Sequence, residues 1–201
     1  IIVLVISLHH IDYFQFIFTD KEFYLYLTVA TFTIILPLIL MIYFVRSRKI
    51  ESFEMKTIKE RGMPLFMISI VILTGMPFFQ IFSKLAPILT VIYMSAFIIL
   101  MIAYIITKRW KISLHMLGIG GATGVFIALN YIYGGTYYWS LFFIFLSGLL
   151  GYSRLNEEAH NHLQIYSGYL LGVFFQVIFI LNYSLIISTI SIFRSSIASI
   201  L

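Results

Sequence analysis

Cysteine is absent from this chain, which excludes disulfides, thiolate-bound metals and a cysteine nucleophile. Charge is also scarce: Asp, Glu, Lys and Arg together make up 10% of the 201 residues, against about a quarter in a soluble domain. An ordinary water-facing surface cannot be built from so few charges. The formal net charge of +5 could suggest nucleic acid or anionic lipid as a partner. The basic residues, however, sit in short stretches between apolar runs and form no interleaved basic surface, so no nucleic-acid partner is expected. No internal repeat or low-complexity segment is present. The chain opens on Ile1 rather than Met, so its natural start is expected to lie upstream and a signal peptide cannot be judged.

Apolar residues, in contrast, make up 61% of the chain. A chain this short keeps much of its surface outside any core, so the solvent for that surface is lipid. Many of the 14 Tyr lie near the ends of apolar runs, where interfacial aromatic belts form. The expected fold is all-α and integral to the membrane: a polytopic bundle of six to seven transmembrane helices forming one domain over residues 1–201. Runs of about 20 apolar residues mark the spans: Tyr24 to Val45, Pro64 to Phe82 (interrupted by Gly75 and Pro77), Pro87 to Thr107, Ile112 to Tyr133, Tyr137 to Tyr152, and Leu163 to Ile187. Gly118, Gly120, Gly121 and Gly124 are spaced to let helices approach closely in lipid. Residues 1–20 contain His9, His10 and Asp12 and read as a partial span or an interfacial helix. Ser188 to Leu201 extends the last helix or lies along the surface.

Each crossing switches sides, so the polar segments 46–63, 108–111 and 153–162, each two spans apart, share one face. Ten of the 13 Lys and Arg and five of the eight acidic residues fall in them. The positive-inside rule would put this face in the cytoplasm; if the same cations serve a site, that inference weakens and orientation stays open.

Three clusters on this face could carry chemistry. Lys56, Lys59, Glu60, Arg61 and Pro64 read either as a solvated stop-transfer loop or as an anion grip, since Arg holds phosphate oxygens bidentately and Lys supplies a point charge. In the second cluster, Lys111 and its neighbours could be interfacial anchors and Ser113 a helix cap. His115 sits one turn inside a span, where an ionisable group usually faces a cavity or a partner. A helix start there also favours anions. The third cluster runs from Ser153 to Gln164. It reads as a polar loop or, through Glu157 with His160 and Glu158 with His162, as ligands sharing a helix face, although no known zinc-protease pattern is matched.

Ser153 and Arg154 followed, after five residues, by His160 reproduce the third signature of the type 2 phosphatidic acid phosphatase superfamily. Ser113 and His115 keep the Ser and His of its second signature, Pro-Ser-Gly-His. Lys59, Arg61 and Pro64 loosely echo its first. Over about residues 30–180 the chain resembles a divergent bacterial branch of that superfamily, with a Lys-Glu-Arg-x-x-Pro-Leu, Lys-Ile-Ser-x-His and His-x3-Gln pattern. The resemblance implies a phosphatidic acid phosphatase type 2 / haloperoxidase-like core and a metal-independent hydrolase, without cofactor, acting on lipid phosphates or diphosphates in the bacterial inner membrane. It implies that His160 is the nucleophile, forming a phospho-histidine, and that His115 protonates the leaving oxygen. Arg154, Arg61, Lys59, Lys111 and Ser113 would hold the phosphate.

The chain departs from the family at two positions. The Asp expected four residues after the nucleophile is Gln164, which can orient the imidazole but cannot offset its developing charge, and Leu114 replaces Gly. A catalytically inactive phosphatase-fold protein, acting as a lipid-binding or scaffold subunit, is therefore the alternative. The expected partners are membrane lipids, with a second copy or a larger membrane complex in addition. A transporter is a third reading, in which Asn130, Gln176 and Asn182 line a path; the same amides also suit hydrogen bonding between helices.

Overall fold

A computed structural model of the chain describes residues 22–55, 57–83 and 87–198, with side chains over 23–55, 57–79 and 87–190. The helix expected within residues 1–20, and Lys56, lie outside the described residues. All regular structure among the described residues is helical: α1 (Glu22–Ala30), a π turn (Thr31–Ile35), α2 (Leu36–Arg46), α3 (Ile58–Ser83), α4 (Pro87–Thr107), α5 (Leu114–Tyr133), α6 (Tyr137–Asn156), α7 (His162–Leu181) and α8 (Tyr183–Ala198).

Among the described residues five stretches, against the six to seven expected over the whole chain, are long and apolar enough to cross a membrane: Phe23–Arg46, Ile58–Phe79, Pro87–Thr107, Leu114–Tyr133 and His162–Leu181. The described residues thus form an all-helical bundle of an integral membrane protein. α6 is as long as α5 but less apolar, because it begins Tyr137-Tyr138-Trp139-Ser140 and carries Arg154 near its end. It nonetheless runs antiparallel along α5. At its start the Thr136 hydroxyl donates to the Phe126 carbonyl at 2.9 Å, and at its end Arg154 shares a cavity with His115.

Several boundaries differ from the sequence reading. α3 begins at Ile58 rather than Pro64 and runs unbroken through Gly75 and Pro77. Gly75 is there for room: a Cβ on it would strike the Tyr93 side chain, whose hydroxyl donates to the Ile72 carbonyl at 2.8 Å. The first span contains a π turn just before Pro37. Proline has no N–H to give the carbonyl four residues earlier and its ring crowds it, and a widened turn relieves both. The expected last span, Leu163 to Ile187, is divided at Asn182, whose side-chain amide donates to the Ile178 carbonyl at 2.8 Å where α7 ends. The described part of the tail, up to Ala198, belongs to a separate helix, α8, which contacts α4 and α7.

The main core lies between α1, α3, α4 and α5, with Leu25, Val29, Ile72, Phe79, Ile92, Tyr93, Phe126 and Leu129 all buried. Among the described residues the most extensively packed helix pair is α5 with α7, and glycines let their backbones approach closely. A Cβ on Gly120 or Gly124 would run into the backbone of Tyr169 or Val173, and one on Gly168 or Gly172 into that of Ser113 or Leu117. The pairs repeat four residues apart, so both helices present a flat seam over two turns. In lipid the gain from such a seam is van der Waals contact rather than release of water. Across α4 and α7, the buried Ser95 hydroxyl donates to the Gln176 side-chain oxygen at 2.8 Å. Asn130 accepts from the Thr136 N–H at 3.2 Å beside the turn at Gly134 and Gly135, whose φ values of 73° and 77° suit glycine. The three amides considered as path-lining groups are thus engaged in caps, turns and inter-helix bonds.

Candidate functional site

The polar segments before α3, before α5 and between α6 and α7 meet at one end of the bundle. They enclose a cavity of about 460 Å³ lined by Glu54, Arg61, Lys111, His115, Arg154, Glu157, Glu158, Ala159 and His160. The common face expected from counting crossings is therefore present, and five expected site residues (Arg61, Lys111, His115, Arg154, His160) line a single space.

His160 is fixed by the start of α7. Asn161 and Gln164 form a capping box: the Asn161 side chain accepts from the Gln164 N–H at 2.9 Å, and Gln164 Oε1 accepts from the Asn161 N–H at 3.3 Å. A backbone N–H can only donate, so the Gln164 atom at that position is the oxygen. The same oxygen lies 2.9 Å from His160 Nδ1 and has no proton to offer. Nδ1 of neutral His160 therefore carries the proton, and its lone pair is on Nε2. His160 is only 8% exposed. Burial holds its pKa below the ordinary histidine value, the charges of Arg61, Lys111 and His115 act in the same direction, and the bond to Gln164 opposes them. Neutral imidazole is the resting form near pH 7.

The loop carrying His160 is shaped by the end of α6. Glu158 takes a left-handed conformation, φ 51°, which terminates the helix; the Ala159 N–H then returns to the Arg154 carbonyl at 3.2 Å. Lys111 Nζ donates to the Ala159 carbonyl at 2.9 Å, and the Ser113 N–H to the Gln164 carbonyl at 3.2 Å. These two bonds tie the start of α5 to the loop and to the start of α7, bringing His115 and His160 to the same cavity.

Arg61, 3% exposed, is a structural clamp as well as a cavity wall. Its Nε donates to the Met55 carbonyl and its Nη1 to the Ile112 carbonyl, both at 2.8 Å. Nη2 has no partner among the described residues. Arg154 has Nη2 3.0 Å from the Glu157 carboxylate, while its Nε is buried with no hydrogen-bond partner. Two guanidinium groups on one cavity thus keep unused donors.

Two expected phosphate ligands lie elsewhere. Lys59 is exposed and does not line the cavity. Ser113 is fully buried as the cap of α5, accepting from the Met116 N–H at 3.4 Å. Gln164 acts on the cavity only through His160. Glu157 is held by Arg154 and by the Ser153 hydroxyl at 3.2 Å rather than by His160. Among the described residues no three His, Asp or Glu side chains are grouped to hold a metal. Glu54 was not expected at the site. It arrives because Glu60 accepts from the Glu51 and Thr57 N–H groups at 3.0 and 3.2 Å, folding the preceding loop inward; one of three Glu among six basic residues gives no such signal in sequence.

Comparison with family models, with curated proteins and with solved structures returns no match for this chain.

Proposed function

We propose that this protein is a membrane phosphatase acting on lipid phosphates or lipid diphosphates, with His160 as nucleophile and no metal in the reaction. The observation that carries the reading is the fixed tautomer of His160, which leaves Nε2 unprotonated on a cavity that also holds Arg61, Lys111, Arg154 and His115. Phosphoryl transfer depends mainly on positioning and on cations placed where charge builds up. In the proposed step the Nε2 lone pair forms a bond to phosphorus as the bond from phosphorus to the lipid oxygen breaks. Protonated His115 gives that oxygen its proton. Water then attacks the phospho-histidine and passes its proton to His115, and phosphate leaves as the N–P bond breaks. The unused donors of Arg61 and Arg154 are available for the equatorial oxygens.

One observation favours a second reading, a non-catalytic lipid-binding or scaffold subunit. Gln164 is neutral where a carboxylate would stabilise the imidazolium, and Glu157 already engages Arg154. Phosphate release by the purified protein decides between them. The substrates are phosphatidic acid, phosphatidylglycerol phosphate and a polyprenyl diphosphate, and the controls are His160→Ala and Arg154→Ala. The phosphatase reading expects release by wild type on at least one substrate and a fall of at least about a hundredfold in each variant. Equal release by wild type and variants on all three substrates leaves only the binding role.

A further inference from the structure

α4 and α5 are consecutive and antiparallel, joined by a short loop, an arrangement that ordinarily places helices side by side. Here they make sparse contact and leave a cleft of about 300 Å³. Small residues line both walls, Ala96 on α4 and Gly118, Gly121 and Ala122 on α5. In lipid, small residues usually let two helices close on each other. These helices stand apart instead, and a Cβ on Gly118 would meet nothing within 4 Å. An empty apolar space forfeits the contacts its walls could make, so in a membrane it is filled by hydrocarbon.

The position of the cleft says which hydrocarbon. His115, Gly118 and Ala122 fall at i, i+3 and i+7 on α5, one helix face, so the cleft opens directly beneath a residue of the polar cavity, with Leu114 at its head. From Leu114 to Phe126 it descends about 18 Å at the helical rise. That is a little over half the roughly 30 Å hydrocarbon layer, the depth of a single leaflet. Its floor is Phe126 and Phe143, rings stacked 5.1 Å apart and 16° from parallel. Gln176, the polar lining residue at that depth, already accepts from Ser95. The space is apolar, one leaflet deep and headed by cations.

We propose that this cleft takes one hydrocarbon chain of the lipid whose phosphoryl group binds beside His160, and that Phe126 and Phe143 limit that chain to leaflet length. The head-group half rests on the phosphatase reading; the chain half rests on the cleft. A phosphorylated acyl lipid fits this arrangement, whereas a polyprenyl chain would extend past the aromatic floor.

The test uses the full chain in nanodiscs with a phosphatidic acid bearing a diazirine at the end of one acyl chain. Irradiation is expected to label Val125, Phe126 and Phe143, and Gly118→Leu, which grows into open space, is expected to abolish that labelling. Labelling spread over outward-facing Phe145, Leu170 and Phe174 and unchanged in Gly118→Leu would overturn the proposal. With phosphate release as readout, Gly118→Leu should lower kcat/KM about tenfold for dipalmitoyl phosphatidic acid and less than about twofold for the dihexanoyl form. Equal loss on both lipids sinks the chain assignment and leaves the phosphatase reading intact. If wild type releases no phosphate at all, the phosphatase reading fails and the labelling pattern alone decides the cleft.

Discussion

Gln164→Glu keeps the side-chain length and both hydrogen bonds that Gln164 Oε1 accepts, and adds a negative charge 2.9 Å from His160 Nδ1. A charge there stabilises the imidazolium character that develops as Nε2 bonds to phosphorus. The expected outcome is a rise of about tenfold or more in phosphate release, while Gln164→Leu, which frees the imidazole and leaves the Asn161 N–H unpaired, should lower it by at least as much. The pH profile separates an electrostatic effect from a packing one. Wild-type His160 has its pKa depressed mainly by burial, so the neutral nucleophile persists below the ordinary value of about 6.5. The acid limb of kcat/KM should lie below that value and move upward in Gln164→Glu; an unchanged limb would mean that His160 is not the group titrating. The sign for folding is the same. Preference for the neutral form stabilises the fold above pH 6.5 or so, and that contribution is lost as the pH falls through the folded-state value. At this scale the sequence was informative at His115, an ionisable group inside an apolar span, and at Ser153, Arg154 and His160 through their spacing in a polar segment. It was silent on Glu54, which is placed by bonds that Glu60 makes to the backbone.

Among the elements, the seam between α5 and α7 holds the site together. Ser113 and Gln164 are joined at its upper end, and the glycine pairs lie one to three turns below. In Gly172→Ala the new methyl would overlap the Leu117 carbonyl and the Gly121 N–H region. Backbone cannot move aside as a flexible side chain can, so α7 must shift. A cost of about 1–3 kcal/mol follows from overpacking, read as a lower unfolding temperature in detergent, together with loss of activity as His160 moves away from His115. Gly118→Ala, two residues from the seam and facing open space, should leave the unfolding temperature unchanged or raise it, since alanine is the better helix former. Equal destabilisation by both substitutions would contradict the seam. Spacing in the sequence announced the glycines of α5, but their partners Gly168 and Gly172 drew no notice because the apolar run around them reads as one featureless span. Helix ends were less legible still. Gly75 and Pro77 suggested a break that packing against Tyr93 overrides, and Asn182 ends α7 through a local amide bond that apolar periodicity does not register.

For the molecule as a whole, the decisive property is that loops far apart in the chain return to one face. Runs of about 20 apolar residues make crossings, and parity then assigns each loop to a side, provided that α6 crosses as well. α6 tests that logic most severely, being long enough to cross but interrupted by Tyr, Ser and Arg; without its crossing, Arg154 and His160 could not reach His115. The absence of native cysteine makes the arrangement directly measurable, since single cysteines introduced at exposed positions are the only thiols. Lys49→Cys, Arg109→Cys and Asn156→Cys lie on exposed residues at the cavity end, and Tyr137→Cys and Asn182→Cys on exposed residues at the opposite end. In sealed vesicles a membrane-impermeant maleimide should label the first three from one side and the last two only after the vesicles are opened, or the reverse if the vesicles are inverted. Asn156→Cys and Tyr137→Cys are the critical pair, because they bracket α6 alone. If both react from the same side, α6 does not cross, and the cavity built from three returning loops cannot exist in the membrane.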